Sequence, residues 1–272
     1  MNIKNIMFIT ALTAITVSCG KQESYLIDQR GVEVTALENR EYSYTNKKSG
    51  YWYGTTHQEE LQWYSGWNMA KKRVLSDYKI GVGEQMLDRR DASCTVFPDR
   101  LTRQWKNAVE TFYMLDNIPL LYIEVKTNAD SISCLLNMDL ISKIVPIYDD
   151  MFFVPYEGEG SILLVPAEDC EYKLLENGIK AGAEAGGFIL AYGTQEECRE
   201  LVKKFRTDGQ MLLKNRKDRI NSLVTEYNPV KSNLPELDKA LDWITITMDE
   251  LITCQQGNGI YAGLPWFNEY WG

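Results

Sequence analysis

The sequence predicts a mainly β protein, a sandwich of short strands, followed by helical segments. Three observations carry this. From about Val32 to Tyr192, short β-branched and aromatic runs are cut by turn residues. No sustained alternation of strand-like with helix-like segments occurs there, which argues against a doubly wound parallel sheet. At Thr194 the apolar period changes from that of strands to that of helices. The expected division is a signal peptide over 1–18, a tether over 19–30, the β-sandwich domain over 31–193, a helical linker over 194–232 and a further helical part over 233–272.

The stretch from Gly20 to about Gln29 is polar and reads as the tether. Within the β region, "LLYIEVK" (Leu120–Lys126), "SISCLLNM" (Ser131–Met138), "MFFVPY" (Met151–Tyr156), "SILLV" (Ser161–Val165) and "GFILAYG" (Gly187–Gly193) read as strands. Between them "NAD", "YDD", "EGEG" and "PAEDC" have turn compositions. Short strands joined by polar turns suit two packed sheets whose inner faces bury alternate side chains.

"TQEE" (Thr194–Glu197) is a capping box: Thr194 accepts from the Glu197 amide, and Glu197 reaches back. Cys198, Leu201, Val202 and Phe205 follow at helical spacing, and Gly209 is expected to interrupt the helix. The next segment, Met211 to Thr225, carries Lys214, Arg216, Lys217 and Arg219, the pattern of a solvated helix face. "NPVKSNLPE" breaks the chain with Pro229 and Pro235, and Asn233 with Glu236 forms a second N-cap pattern. Leu237, Leu241, Ile244, Met248 and Leu251 then recur at i, i+4, i+7, i+11 and i+14, one apolar stripe. Such a stripe needs a partner surface, and self-association of two chains through Leu237–Leu251 is the expectation where none is supplied.

"MNIKNIMFITALTAITVSCG" has a basic start at Lys4 and an apolar, threonine-rich run, then small Ser18 and Cys19. That run is too short for a spanning helix and has the layout of a secretory signal. With Gly20 after it, Cys19 resembles the lipidation site of a bacterial lipoprotein, although Thr16 stands where leucine is usual. The resemblance implies an exported, membrane-anchored protein, periplasmic or at the cell surface. The other reading is an ordinary N-terminal hydrophobic helix with a buried cysteine.

The chain has 29 basic and 38 acidic residues, a net charge of −9. This argues against a nucleic-acid partner, which requires a basic stripe, and does not disfavour a neutral ligand such as a glycan. Beyond Cys19 there are five cysteines without a Cys-x-x-Cys pair, neither a disulfide framework nor a zinc site. Buried free thiols are expected, with one bridge left open for an exported chain. The only histidine, His57, lacks a visible orienting partner and reads as a loop or hydrogen-bonded residue. No metal or other cofactor is indicated, and no calcium-loop spacing occurs.

"LDKALDWITITMDELI" followed by "GIYAGLPWFNEYWG" resembles the start of the catalytic domain in bacterial and archaeal glycogen debranching enzymes, of the amylo-α-1,6-glucosidase type. Ala262, Gly263, Pro265, Trp266, Phe267 and Gly272 match the family's A-G-x-P-W-F…G-R-D-T loop. The Arg-Asp-Thr that follows in the family would start after residue 272, so the chain is expected to end inside the substrate-binding loop. "SGYWYGTT" (Ser49–Thr56) and "WYSGW" (Trp63–Trp67) look like the family's glycine-rich opening and its Tyr-His-Gly-Leu stretch, with Ser65 and Trp67 as departures. "ETFYMLDNIPLLYIEV" (Glu110–Val125) resembles its central strand pair.

The resemblance implies a β-supersandwich, a helical linker and the first helix of an incomplete α/α toroid. It implies an inverting glycoside hydrolase acting on α-glucans, with substrate contacts at Pro265, Trp266, Phe267 and Gly272. Inverting hydrolysis needs two carboxylates ~6.5–9.5 Å apart. The family's pair lies downstream of this loop, so no catalytic residue is assigned here, and the chain alone is expected to be inactive. Asp149–Asp150, Glu157–Glu159 and Glu168–Asp169 read as solvated turns. The runner-up, from a different class, is a stand-alone glycan-binding surface lipoprotein without hydrolysis. A purely structural lipoprotein module is the third. For the cluster Tyr51, Trp52, Tyr53, Trp63, Tyr64 and Trp67, a glycan platform competes with core and hairpin packing.

Overall fold

The computed structural model describes residues 25–58, 62–157, 159–228, 230, 232–255, 257–266 and 269–271; the expected signal peptide and Cys19 lie outside them. The described chain is mainly β, in several antiparallel sheets, with two α-helices, α1 (Gln195–Thr225) and α2 (Pro235–Leu251). The largest sheet has nine strands. In spatial order they are Val32–Val34, Ser93–Val96, Leu101–Gln104, Ala108–Met114, Leu120–Thr127, Gly187–Gly193, Ser161–Pro166, Asp150–Pro155 and Ile141–Ile147.

Its central strands are continuous apolar runs because both faces are covered. Leu121, Ile123, Val125, Phe188, Leu190, Ile162 and Leu164 point into one core. Against them pack Ile80, Ile132, Cys134 and Ile179 of a five-stranded sheet, and Trp52 and Trp67 of a four-stranded one. The alternate residues Leu120, Tyr122, Ile189, Ala191, Leu163 and Val165 form a second core with Cys198, Val202 and Phe205 of α1. Each large apolar side chain so buried is worth roughly 1.5–3 kcal/mol. The five strands expected from sequence all form, within a residue or two at their ends.

The four-stranded sheet comprises Glu41–Thr45, Gly50–Thr55, Gly66–Met69 and Lys72–Leu75. Gly66 is required there: it has φ +94°, and a Cβ would lie 2.0 Å from the Leu75 carbonyl oxygen.

The expected capping box is formed, with the Glu197 amide donating to Thr194 Oγ1 at 3.3 Å and the Thr194 amide donating to Glu197 Oε2 at 2.8 Å. Gly209 does not interrupt α1, which runs 31 residues without a break. The Phe205 ring lies where a side chain would project; a Cβ on Gly209 would sit 3.1 Å from it. A glycine here costs about 1 kcal/mol in propensity, and ring packing against the sheet outweighs it. The basic second half of α1 is only in part a solvated face: Lys214 is exposed, while Lys217 and Arg219 are half-buried. Arg216 is 2% exposed, and Ile220 and Val224 are buried with Ile27 and Ile246.

The expected tether is docked from Tyr25 onward. A 3-10 turn, Leu26–Gln29, buries Ile27 completely, and the Leu26 amide donates to Asn221 Oδ1 at 2.8 Å.

Two expectations for α2 are corrected. Its N-cap is Leu234, with Pro235 in the first turn and no side-chain cap; the Asn233–Glu236 pattern is not used. Its apolar stripe points away from the protein: Leu237, Ile244 and Met248 are exposed. The buried positions are Asp242, Ile246 and Glu250. Asp242 accepts from Arg30 Nε at 2.7 Å and from Asn228 Nδ2 at 2.8 Å. Trp243 Nε1 donates to the Arg30 carbonyl at 2.9 Å. After α2 the described chain turns to three antiparallel strands, Ile252–Cys254, Asn258–Ala262 and Glu269–Trp271.

Candidate functional site

The Glu41–Thr45 and Gly50–Thr55 strands pair in register, with Ser43 opposite Tyr53 and Thr45 opposite Tyr51. Strand alternation turns Tyr42, Tyr44 and Trp52 into the main core. It turns Glu41, Ser43, Thr45, Tyr51 and Tyr53 to the other side. There Tyr51, Tyr53 and Tyr64 form a small aromatic cluster, with Leu264 packed against it. Tyr53 meets Tyr64 edge-on at 5.1 Å, and Tyr64 meets the exposed Trp63 at 5.2 Å. Tyr51 meets Tyr261 at 6.2 Å.

Between this surface, α2 and the turn at Leu264–Trp266 lies a groove of about 340 Å³. Glu41, Ser43 and Tyr53 line it from the strands, Trp243, Thr247 and Glu250 from α2, and Leu264, Pro265 and Trp266 from the turn. Pro265 is buried, and Trp266 beside it is 52% exposed. The structure therefore brings two of the four sequence-derived contact residues to one groove. Phe267 and Gly272, like Cys19, lie outside the described residues.

The polar lining is uneven. Both Glu250 oxygens are occupied: Oε1 accepts from Arg216 Nη2 at 3.0 Å, and Oε2 from the Thr45 amide at 2.5 Å and Thr45 Oγ1 at 2.9 Å. The Tyr53 hydroxyl is buried, with the Glu41 carboxylate and the Tyr64 hydroxyl as its polar neighbours. Burial, and then the Glu41 carboxylate, push its pKa up, so the phenol is a donor at any physiological pH. Trp67 Nε1 is buried without a partner, away from the groove.

A charge network fixes the groove's α2 wall. Arg216 bridges Asp116 and Glu250 and donates to the Thr45 carbonyl at 3.0 Å. Arg219 donates to Asp116 Oδ2 and to Asp249 Oδ2, each at 2.6 Å. Lys47 lies 3.3 Å from the same Asp249 oxygen. Burial opposes the charge on Arg216, but Glu250 and Asp116 outweigh it, so its pKa is raised. Burial likewise raises Asp116, yet Arg216 and Arg219 outweigh it and hold the carboxyl below its ordinary value.

His57 is buried and outside the groove. Its Nε2 faces the Ala92 carbonyl at 3.2 Å and Nδ1 faces Thr56 Oγ1 at 2.9 Å. A carbonyl only accepts, so Nε2 carries the proton and Nδ1 accepts from the hydroxyl. Burial lowers its pKa, with Arg103 nearby acting in the same direction. It is a hydrogen-bonded histidine, as its sequence context suggested.

Of the turn carboxylates, Asp150 pairs with Arg199 and Asp169 with Arg206, each at 3.0 Å, while the Glu159 side chain is 95% exposed. All five described cysteines are free. Cys94, Cys134 and Cys198 are buried, and burial pushes the Cys198 thiol up to about 12. Cys254, contrary to expectation, is exposed. Among the described residues no group of three His, Cys, Asp or Glu side chains is placed to hold a metal ion.

No family model matches the chain, and no curated protein matches it.

Sequence reasoning missed Glu41, Ser43, Trp243 and Glu250 as groove residues. The alternation "EYSYT" carried a signal for the first two, since it puts the tyrosines on one face and Glu41 and Ser43 on the other. The α2 pair carried no such signal, because its apolar stripe pointed to the wrong face.

Proposed function

We propose that this chain is the N-terminal portion of a glycogen-debranching-like glycoside hydrolase, contributing α-glucan binding without hydrolysis of its own. The observation that carries the reading is Trp266, half-exposed beside buried Pro265 at the rim of a groove lined by tyrosine, serine, threonine and carboxylate groups. Sugar rings offer apolar C–H faces to a flat indole and hydroxyls to such polar groups. The A-G-x-P-W-F resemblance at Ala262–Phe267 points the same way.

The groove's carboxylates support the part of the reading that excludes hydrolysis. Glu250 has both oxygens engaged by Arg216 and Thr45, and among the described lining residues Glu41 is the other carboxylate. The supersandwich and toroid assignments, export and a lipid anchor at Cys19 belong to the same proposal. Two packed sheets with α1 on the outer face are compatible with it.

Isothermal titration with maltotriose, paired with a reducing-sugar assay on branched α-glucan, tests the reading. Binding by the wild-type chain, weakened at least tenfold by Trp266→Ala, with no turnover above blank, is expected. No binding, or binding indifferent to Trp266, removes the glycan assignment. Turnover abolished by replacing one Asp or Glu of this chain removes the claim that it lacks hydrolytic machinery. A stand-alone glycan-binding lipoprotein, the second reading, rests on the same Trp266 geometry and predicts the same binding.

A further inference from the structure

We infer that residues 25–31 form a clasp that holds the α2 wall of the groove, and that Arg30 and Ile27 are positioning residues for the ligand bound there. The inference rests on the glycan reading above for the nature of that ligand. It adds the part of the chain that sets the shape of the site without touching it.

The segment is fixed on one side and grips α2 on the other. On the fixed side, Ile27 is fully buried in one cluster with Ile220 and Val224 of α1. The Leu26 amide donates to Asn221 Oδ1 at 2.8 Å. Asp28 accepts from Lys217 Nζ at 2.7 Å and from Arg100 Nη2 at 2.9 Å. The chain then enters Val32–Val34, an edge strand of the largest sheet. On the gripping side, Arg30 Nε donates to Asp242 Oδ2 at 2.7 Å. The Arg30 carbonyl accepts from Trp243 Nε1 and the Gly31 carbonyl from Lys239 Nζ, each at 2.9 Å. Ile246 completes the Ile27 cluster. Trp243 and Ile246 also line the groove, and none of residues 25–31 does. The same two α2 side chains therefore meet the clasp and the ligand space at once. A helix of 17 residues is marginal alone in water, so its seat depends on such contacts. The Asp242 side chain is completely buried, and removing the Arg30 cation would leave its carboxylate dry, which disfavours the present seat of α2. Binding groups must be held to within about 0.5 Å, so a loosened α2 misplaces Trp243 and Thr247 against Trp266.

The test compares full-length wild type with Arg30→Met, Arg30→Lys, Ile27→Ala and, from the main core outside the clasp, Val125→Ala. Each is measured for thermal midpoint, hydrogen exchange and maltotriose affinity. Arg30→Met should speed exchange of the α2 amides by about tenfold or more, while strand Leu120–Thr127 keeps its protection. It should weaken maltotriose by about twofold to thirtyfold, the range for residues acting on a site they do not touch. Ile27→Ala should change both in the same direction. Arg30→Lys, which keeps a cation opposite Asp242, should restore most of both. Val125→Ala should lower the midpoint and leave the affinity unchanged. Unchanged affinity in Arg30→Met, or exchange raised equally throughout the molecule, overturns the inference. So does an affinity loss that Val125→Ala reproduces. If Arg30→Met does not fold, Ile27→Ala decides by the same criteria. If wild type binds no maltotriose, the glycan reading falls by itself and exchange decides the clasp: opening confined to α2 upholds it, and uniform or absent opening overturns it.

Discussion

Glu250→Ala should be the most damaging single substitution near the groove. The side chain accepts from Arg216 and twice from Thr45, and it joins α2 to α1 and to the strand below. Removing one partner from a buried, hydrogen-bonded charge pair costs about 3–5 kcal/mol, because the remaining charge stays dry. Arg216 keeps Asp116, and the groove beside Glu250 admits water, so the lower end, about 3 kcal/mol, is expected. Urea denaturation followed by circular dichroism measures it. Glu84→Ala, which removes an exposed pair with Lys180, should leave the midpoint unchanged. Replacing the pair by Arg216→Met with Glu250→Leu should recover much of the loss. The acid limb reports on Asp116. Its carboxyl is held below its ordinary value in the folded state, so its contribution is full above about pH 4, the unfolded value, and disappears as pH falls through the folded one. Arg216→Met should flatten that limb. A Glu250→Ala cost under about 1 kcal/mol, or an acid limb unchanged in Arg216→Met, would show that the network holds nothing in place.

Two further outcomes are expected. Cys19→Ala should abolish lipid labelling and release the protein from membranes; continued membrane association would count against a lipid anchor. The outward stripe of α2 should make the chain self-associate with concentration, and Ile244→Glu should return it to monomer; light scattering that finds a monomer throughout would dismiss that surface as a contact.

The central sheet was legible because its strands carry apolar residues on both faces over most of their length. "SILLV" and "GFILA" can only be buried on both faces, and Leu163 and Leu164 do enter different cores. The α1 start was legible because a capping box is a local device. Gly209 misled because local propensity is worth about 1 kcal/mol and the Phe205 packing it permits is a tertiary fact. Buried ion pairs were not legible at all. Arg103 and Glu110 face each other across one hairpin, and Arg216 with Glu250 are long-range partners; all four are ordinary surface-type residues that nothing nearby in sequence marks as buried. The site was half legible. "GLPWF" pointed to Trp266, but Glu41 and Tyr53 lie over 200 residues away and reach it only through the fold.

Helix α2 shows what amphipathicity leaves undecided. Its periodicity gives one apolar face, which normally faces inward. Here the polar face is inward because each of its charges meets a specific partner: Asp242 meets Arg30, and Glu250 meets Arg216. The apolar residues on the other face recur at alternating intervals of three and four, with Leu234, Leu237, Ile244 and Met248 exposed and Leu241 and Leu251 half-buried. That is the spacing of a helix–helix seam. Of the flanking positions, Ala240, Thr245 and Thr247 bear no charge and Asp238 is acidic. Covering each of these side chains is worth roughly 1.5–3 kcal/mol, while the inward charges are already satisfied by partners they would lose if the helix rolled over. With α2 in this orientation the inward charges keep their partners while Leu237, Ile244 and Met248 stay exposed, which is why Ile244→Glu is the substitution that reports on this face.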